Sequence, residues 1–461
     1  MRKVSRMTIS DHDLSELRAA ISGDVLERGN SALAAEAAAQ NTLILHDPDL
    51  AVIPLSEGDV RAAVRFAATH GLAVRIQATG HGAEAAVTDG LLLLTKRMLD
   101  VSVDPSTRVA TIAAGARWEA VIGAAAEHGL APITGSSTHV GAIGYTLGGG
   151  LGPLARSHGF TSDWVRGFRV VLADGSVVTA DTDEHPDLFW ALRGGKGGLG
   201  VVTEMRVELV PIRTLYAGSL FFDGPNVEAA LRAWTDWLPT SPAAVTTSVA
   251  LMNMPPIEEI PEPFRGRFLL SLRFAWTGDP ADGERILAPL RAAAPVYIDT
   301  VSEIPAVAVG AIHNDPDQPG PVWTRGFLLR PIDQDFVDEL LAHFGQDAGA
   351  PFVGVEVRHL GGATATDVAG GSAAGGRKSA HALTMIGVAP PLFERMPVAA
   401  DAFLAAAAKW VSPETNINFA GNVSDSEHFA SAWPGDTFER LSKTRAQYDP
   451  EQVFAYGPAA V

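Results

Sequence analysis

A histidine flanked by glycines, His81, is the residue of this sequence whose setting most strongly suggests chemistry. It follows a short aliphatic run at 72–76 that predicts a buried strand leading into a tight turn. Glycine on both sides lets backbone N–H groups approach an anionic ligand closely, so this histidine borders a candidate phosphate-binding loop. An isolated Gly-His-Gly is more often a plain turn, and the rest of the chain must decide between the two.

A second feature is the segment 135–152, which contains seven glycines and no Asp, Glu, Lys or Arg. It cannot be helical throughout, because each interior glycine costs roughly 1 kcal/mol relative to alanine. Two interpretations stay open from these residues alone. The segment is either a packed crossing of loops or backbone lying flat against a large planar or phosphorylated ligand, with the hydroxyls of Ser136, Ser137 and Thr138 as donors.

A third glycine segment, 195–200, fits the spacing of the dinucleotide fingerprint. That fingerprint requires a strand before the loop and a helix after it, so that the helix N-terminus meets the pyrophosphate. Here a predicted helix precedes the loop and a predicted strand follows it. We therefore do not expect a Rossmann-type nicotinamide site.

The composition excludes several classes of protein. Thirty-five Lys and Arg against 53 Asp and Glu give a net charge of −18, which argues against binding nucleic acid or an anionic membrane surface. Cysteine is absent, so no disulfide, thiolate nucleophile or Cys-bound metal is expected, and the histidines lack metal-ligand spacing. With no signal-peptide pattern and no run long enough to span a bilayer, we expect a soluble cytoplasmic protein.

The pattern of predicted strands and helices changes near residue 214. Before that point, predicted strands and helices surround the glycine segments, and residues 11–40 have an Ala-rich helical pattern. Beyond it, strands at 246–251, 267–276 and 352–359 alternate with helices at 227–238 and 336–344, which predicts an α+β domain with an antiparallel sheet. We expect domains at 1–213 and 214–414, with a C-terminal segment, 415–461, returning to the first.

Several motifs occur in this chain in an order that is specific enough to indicate a protein family. They are Gly80-His81-Gly82, the 135–152 segment, the run 186–195, Ile417-Asn418-Phe419 and the closing run 448–454. Their combination resembles the berberine-bridge-enzyme-like branch of the FAD-linked oxidases, in the vanillyl-alcohol-oxidase or PCMH-type superfamily. The resemblance implies an α+β fold: a PCMH-type FAD-binding domain of two subdomains, and a substrate domain whose multi-stranded antiparallel sheet is covered by helices.

The resemblance also implies an FAD cofactor joined covalently to His81. Many relatives form a second bond through a cysteine, but the matching position is Ser137, so a single link is expected. The other cofactor-binding positions follow from the matched motifs. They are Gln77, Ala78, Thr79, Gly80, Gly82, Ala83, Gly135, Ser136, Thr138, Gly141, Ala142, Gly144, Tyr145, Gly200, Val202, Asn418 and Phe419.

The implied function is an FAD-dependent oxidase or dehydrogenase that oxidises a small organic molecule by hydride transfer to flavin N5. Dioxygen or another acceptor would then take the electrons. Bacterial relatives often carry a tyrosine that can act as a base where this chain has Phe419, which has no ionisable proton. A flavin-dependent cyclase or isomerase without net oxidation is therefore the alternative, and a flavin-binding protein without turnover is a third. The oligomeric state is not indicated.

Four residues are candidates for the catalytic base: Tyr145, His139, His359 and Glu356. Each has a plainer interpretation, as a packed residue at the flavin edge, a structural hydrogen-bonding group, or one half of a Glu356–Arg358 ion pair. On a regular strand Glu356 and Arg358 share a face, and His359 lies on the other. His313, His381 and His428 are expected to be surface or structural residues, and no metal site is expected.

Overall fold

The computed structural model describes residues 9–421 and 426–456 of the chain. The first of its sheets contains β1 (Asp24–Glu27), β2 (Leu50–Ile53), β3 (Val74–Gln77) and β4 (Leu91–Leu94), in the order β1-β2-β4-β3. β1 is antiparallel to β2, whereas β2 and β3 both run parallel to β4. The sequences of β2 and β4 are unbroken apolar runs because these strands are buried on both faces.

The helices of this part are α1 (Asp11–Ala20), α2 (Leu33–Glu36) and α3 (Glu57–His70). The side chain of Ser56 caps α3 by accepting from the backbone N–H of Asp59, and Gly71 ends it in the left-handed region at φ 63°. That turn feeds the chain into β3, so the His81 loop follows its carboxyl end. The helical pattern expected over 11–40 is confirmed at α1 and α2 and is wrong between them, where β1 pairs with β2.

A second, antiparallel sheet contains β5 (Val101–Asp104), β6 (Val109–Ala113), β7 (Val165–Val171), β8 (Val177–Ala180) and β9 (Val201–Glu208), in the order β5-β6-β9-β7-β8. Its accompanying helices are α4 (Trp118–Ala126), α5 (Ala142–Thr146), α6 (Ala155–His158) and α7 (Pro186–Leu192). β6 and β7 both pair with β9. The glycine segment therefore lies in an excursion that leaves this sheet after β6 and returns to it at β7.

The largest sheet is antiparallel, in the order β13-β10-β12-β11-β16-β17-β15, with β14 paired to β10. Its strands are β10 (Thr214–Asp223), β11 (Thr246–Asn253), β12 (Phe268–Trp276), β13 (Ile298–Asp299), β14 (Ser302–Pro305), β15 (Trp323–Leu329), β16 (Gly354–His359) and β17 (His381–Gly387). One face packs on α8 (Gly224–Trp237), α9 (Pro280–Arg291), α10 (Gln334–Phe344) and α11 (Met396–Ala406).

The two faces of this sheet differ in chemistry. Trp234, Phe274 and Phe336 are fully buried in the core between the sheet and its helices. The alternate positions carry Ser248, Arg273, Glu356 and Arg358, and the register pairs Ser248 with both Arg273 and Arg358. Strand pairing thus gathers polar side chains from three strands on the face away from the helices.

The predicted α+β class, with its multi-stranded antiparallel sheet, is confirmed. The division at residues 213 and 414 stays a prediction about independent units. After α12 (Ser426–Ala430) and α13 (Asp436–Tyr448), the chain returns to the first sheet, where Val74 N donates to Val453 O at 2.7 Å. Residues 422–425 and 457–461 of the expected C-terminal segment lie outside the described residues. Within the described ranges no helix has the length and apolarity to cross a bilayer.

Candidate functional site

The two glycine loops meet at Thr79. Its Oγ1 lies 2.8 Å from Nδ1 of His81 and accepts a hydrogen bond from the backbone N–H of Gly141 at 3.3 Å. Gly80 between them has φ 73°, and a Cβ there would lie 2.6 Å from the Cα of Ala39, so only glycine suits this position. One hydroxyl therefore orients the histidine and joins its loop to the start of α5.

The imidazole of His81 is neutral at physiological pH. Burial, with smaller effects from the charges of Arg117 and His139, lowers its pKa to about 4. A neutral imidazole carries a free lone pair and can act as a nucleophile. The residue singled out by sequence is thus held in the protonation state that forming a covalent bond requires.

The glycine segment 135–152 has two distinct parts. A Cβ at Gly148 would lie 2.1 Å from Oδ1 of Asn418, and one at Gly152 would lie 1.8 Å from the carbonyl oxygen of Thr134. By contrast, a Cβ at Gly144 or Gly82 would meet nothing within 4 Å. Gly148 and Gly152 therefore permit a tight crossing of loops, whereas Gly144 within the segment and Gly82 in the His81 loop leave open backbone. The loop-crossing interpretation is confirmed for these later glycines, and the interpretation of the segment as a ligand-contacting surface stays a prediction.

Asn418 ties the C-terminal motif to this region. Its Nδ2 donates to the carbonyl of Tyr145 at 2.8 Å, and its Oδ1 accepts from Nζ of Lys196 at 2.7 Å. Lys196 also donates to the carbonyl of Gly144 at 2.9 Å, and burial lowers its pKa to about 8. Sequence reasoning missed Lys196, although a lysine inside a run of glycines could have been noticed.

The other predicted cofactor positions have varied surroundings. The Gln77 amide donates to Ala37 O at 3.1 Å and contacts Nε2 of His46 at 3.0 Å, so only its backbone could serve a ligand. Val202 packs in one buried core with Ala142, and Gly200 before it has φ 127°. The remaining predicted positions belong to the His81 loop and the glycine segment. They are Ala78, Ala83, Gly135, Ser136, Ser137 and Thr138.

The polar face of the large sheet forms a charged wall. Glu356 accepts hydrogen bonds from Ser248 Oγ, Arg273 Nη1 and Arg358 Nε, each at 2.8 Å. Nε2 of His313 lies 3.3 Å from a Glu356 oxygen. Although burial opposes ionisation, the two guanidiniums hold the pKa of Glu356 well below its usual value. This carboxylate stays charged and its oxygens are largely occupied.

A cavity opens between this wall and the chain that follows the glycine segment. It is lined in part by Arg273, His313, Arg358, His359 and Leu151. Arg358 reaches across: its Nη1 donates to the carbonyl of Leu151 at 3.2 Å, and its guanidinium lies 4.9 Å from the ring centre of Phe419. The cavity therefore lies where the large sheet meets the end of the glycine segment.

His359 occupies the opposite side of β16 from Glu356. Its Nε2 faces Nη1 of Arg156 at 2.9 Å, and its ring stacks on that of His381 at 5.3 Å. Because Nε2 must accept from the guanidinium, the proton of the neutral ring is on Nδ1. Burial lowers the pKa to about 2 for His359 and to about 4 for His381. His359 is thus a poor proton acceptor.

The two other predicted bases lie in the glycine segment. Burial raises the pKa of Tyr145, so its hydroxyl stays protonated, and its ring packs edge-on against Trp118. His139 is partly exposed, with Nδ1 3.3 Å from Glu119 and Nε2 3.8 Å from Asp317. Neither group lines the cavity beside Arg358.

Of the two roles expected for His313 and His381, surface or structural, burial excludes the first. The side chain of His313 is only 5% exposed and lines the cavity, and His381 is also buried. Burial and the charge of Arg273 lower the pKa of His313, and neither of its ring nitrogens has a hydrogen-bond partner among the described residues. Arg273 and Arg156 were missed as well. Nothing near these residues in the sequence marks them, because tertiary packing brings strand β12, helix α6 and the chain before β15 together at the site.

Comparison with known proteins bears on the same region. Residues 48–181 match the family described as an FAD binding domain, a range that contains both glycine loops. An uncharacterised FAD-linked oxidoreductase of Bacillus subtilis is 26% identical over 444 residues, covering 89% of this chain and 90% of the relative. (R)-6-Hydroxynicotine oxidase of Paenarthrobacter nicotinovorans is 36% identical over 201 residues, less than half of each protein.

Solved structures resemble the whole described fold. BBE-like 1 of Physcomitrella patens superposes with a TM-score of 0.82 at 18% identity, covering 96% of this chain and 98% of that one. Glucooligosaccharide oxidase of Acremonium strictum superposes with a TM-score of 0.79 at 22% identity, covering 96% and 97%. The flavin of that oxidase is described as 6-S-cysteinyl, 8α-N1-histidyl FAD.

Proposed function

Because this chain is an FAD-linked oxidoreductase that shares the fold of the berberine-bridge-enzyme-like proteins, we propose that it oxidises a small organic substrate with a flavin bound covalently through His81. The observation that supports this most directly is the setting of His81. Thr79 orients its neutral imidazole, and the open backbone of Gly82 and Gly144 provides space for the ring system.

The bound FAD would supply the hydride acceptor, and the residues of this chain would supply position and polarity. Asn418 and Lys196 would hold the Gly144 backbone against the cofactor. Ser137 stands where many relatives have a second linking residue, so we propose a single covalent link. Dioxygen or another small acceptor would take the electrons, as the name of the 6-hydroxynicotine oxidase suggests for that relative.

For the substrate proton we propose His313 rather than the four residues expected from the sequence. Tyr145 is protonated, Glu356 is already hydrogen bonded, His359 faces a guanidinium, and His139 is away from the cavity wall. Nε2–H of His313 can point to Glu356, leaving Nδ1 to accept a proton. Glu356 would then stabilise the imidazolium, as a carboxylate does in a catalytic dyad.

The experiment that tests the proposed function is an anaerobic reductant panel read by flavin absorbance. It should include 6-hydroxynicotine, cello-oligosaccharides and a set of alcohols and hydroxy acids. Bleaching of the flavin by one class, with colour returning in air, is the expected result. A flavin that converts a panel compound without net bleaching would support the cyclase or isomerase alternative, and a bound flavin that no compound changes would contradict both enzymatic proposals.

A further inference from the structure

The wall of the cavity carries more positive than negative charge. Arg273, Arg358 and Glu356 expose only 11%, 12% and 8% of their side chains. Two guanidiniums therefore face one buried carboxylate, and His313 beside them is neutral because burial lowers its pKa. Asp315 also acts on Arg358, but it is exposed. A buried guanidinium without a counter-charge costs several kcal/mol, unless an anion binds beside it.

The two guanidiniums also have unused donors. Arg273 gives Nη1 to Glu356, and its Nε has no partner among the described residues. Arg358 gives Nε to Glu356 and Nη1 to the Leu151 carbonyl, and no described residue accepts from its Nη2. Both side chains line the cavity. A planar anion with two oxygens suits such paired, forked donors.

We propose that Arg273 and Arg358 form a carboxylate subsite, so that the substrate of this enzyme is a small organic acid. This inference rests on the proposed function and names the substrate class of the same site. Glu356 is the positioning residue: it fixes both guanidiniums while neutralising only one of them.

The location of the subsite agrees with this role. Arg358 contacts the Leu151 carbonyl and the Phe419 ring, which belong to the flavin-side segments. A Cβ at Gly310 would lie 2.9 Å from Thr138, so the turn that leads to His313 packs on the glycine loop beside His81. A carboxylate held on the sheet would therefore direct the rest of the molecule toward the flavin loops and His313.

The test is binding to the oxidised, flavin-loaded protein, without turnover. Benzoate and acetate are titrated against their uncharged counterparts benzamide and acetamide, by calorimetry and by the flavin difference spectrum. The acids should bind about tenfold or more tightly than the amides, since charge-assisted hydrogen bonds distinguish them. Equal affinity, or no binding of either acid, would overturn the subsite.

Substitutions test which side chain causes the preference for the acid over the amide. Arg273→Gln leaves the Glu356–Arg358 pair balanced and should remove the preference for the acid. Arg285→Gln makes the same change of net charge at a side chain that is 74% exposed, and should leave the preference intact. If Arg273→Gln is insoluble, Arg358→Gln serves the same purpose. An unchanged preference in the soluble variant would contradict the proposal.

This test separates the two proposals. Acid binding without any active reductant in the panel would leave the subsite standing and count against the proposed oxidation. Reduction by neutral compounds only, with no selective acid binding, would preserve the oxidoreductase and overturn the subsite.

Discussion

At the scale of single residues, His313 is the group on which the proton chemistry depends. It lies beside a carboxylate held by two arginines, and its Nδ1 is free to accept. General bases of this kind contribute about 10²- to 10⁴-fold to rate. We therefore expect His313→Gln to slow anaerobic flavin reduction by about that factor, measured by stopped-flow absorbance with a reductant from the panel.

His359→Gln is the matched control, because His359 lines the same cavity but already accepts from Arg156. Its effect on the reduction rate should stay below about tenfold. The flavin spectrum of both variants should match that of the unaltered protein. A larger loss with His359→Gln than with His313→Gln would show that the two histidines have been assigned the wrong way round.

At the scale of elements, we propose that the backbone of α5 faces the flavin, so that a side chain added at Gly144 would compete with bound FAD. A Cβ at Gly144 meets no protein atom within 4 Å, and the same is true of Gly123 in α4. We expect Gly144→Val to lower the flavin content of the purified protein, because the added methyl groups occupy ligand space. Gly123→Val should keep the full flavin content, and both proteins should be soluble. Equal flavin content in the two variants would place the cofactor elsewhere.

The β16–β17 pair should make stability depend on pH. His381 is buried opposite His359 and has its pKa lowered to about 4, whereas the unfolded chain takes up that proton near pH 6.5. The stability that the folded protein gains by keeping His381 neutral is fully present above pH 6.5. It is lost as the pH falls toward 4, because the unfolded state then binds more protons. His359 stacks on His381, the charge of Arg156 also disfavours protonation of His381, and its hydrogen bond to the Arg330 carbonyl opposes these effects in part.

Replacing His381 should remove part of this dependence. Both proteins should lose unfolding free energy when the pH falls from 7 to 4.5. The loss should be smaller in His381→Gln than in the unaltered protein, by about 1–3 kcal/mol. Urea titrations at both pH values measure the difference. His12→Gln, at a side chain that is 81% exposed, is the control and should follow the unaltered protein. Parallel loss in all three proteins would show that His381 is not a source of the dependence.

Elements set by neighbouring residues could be predicted from the sequence. The strand before His81, the capped helix α3 and the buried run Leu91–Leu94 all depend on local signals. The helical pattern expected over 11–40 is wrong between α1 and α2, because Asp59 binds the backbone of Ser22 and Gly23 and β1 joins a sheet edge. The cavity wall could not be predicted, since strand register brings Arg273 and Glu356 together and tertiary packing adds His313 from the chain before β15.

At the scale of the whole molecule, a buried ion pair connects the chain before β7 to the loop between two strands of the large sheet. Arg377, between β16 and β17, meets Asp163, just before β7, at 2.5 Å, and their side chains are only 11% and 9% exposed. Burial raises the pKa of Asp163, and the guanidinium offsets part of that effect. Removing one charge of a buried pair leaves the other uncompensated.

We expect Asp163→Asn to destabilise the protein by about 3–5 kcal/mol. Asp367 meets the same guanidinium at 3.0 Å but is 39% exposed, so Asp367→Asn should cost about 1 kcal/mol or less. Thermal unfolding followed by fluorescence compares the two variants under one condition. An equal loss of stability in the two variants would mean that burial does not strengthen the Asp163–Arg377 ion pair.

The bond proposed between FAD and His81 is tested most directly by acid precipitation of the purified protein. If the bond is present, flavin should stay in the precipitate of the unaltered protein, and the peptide containing His81 should carry the mass of the cofactor. In His81→Ala the flavin should pass entirely into the supernatant. Release of all flavin from the unaltered protein, or equal retention by His81→Ala, would contradict the proposed bond.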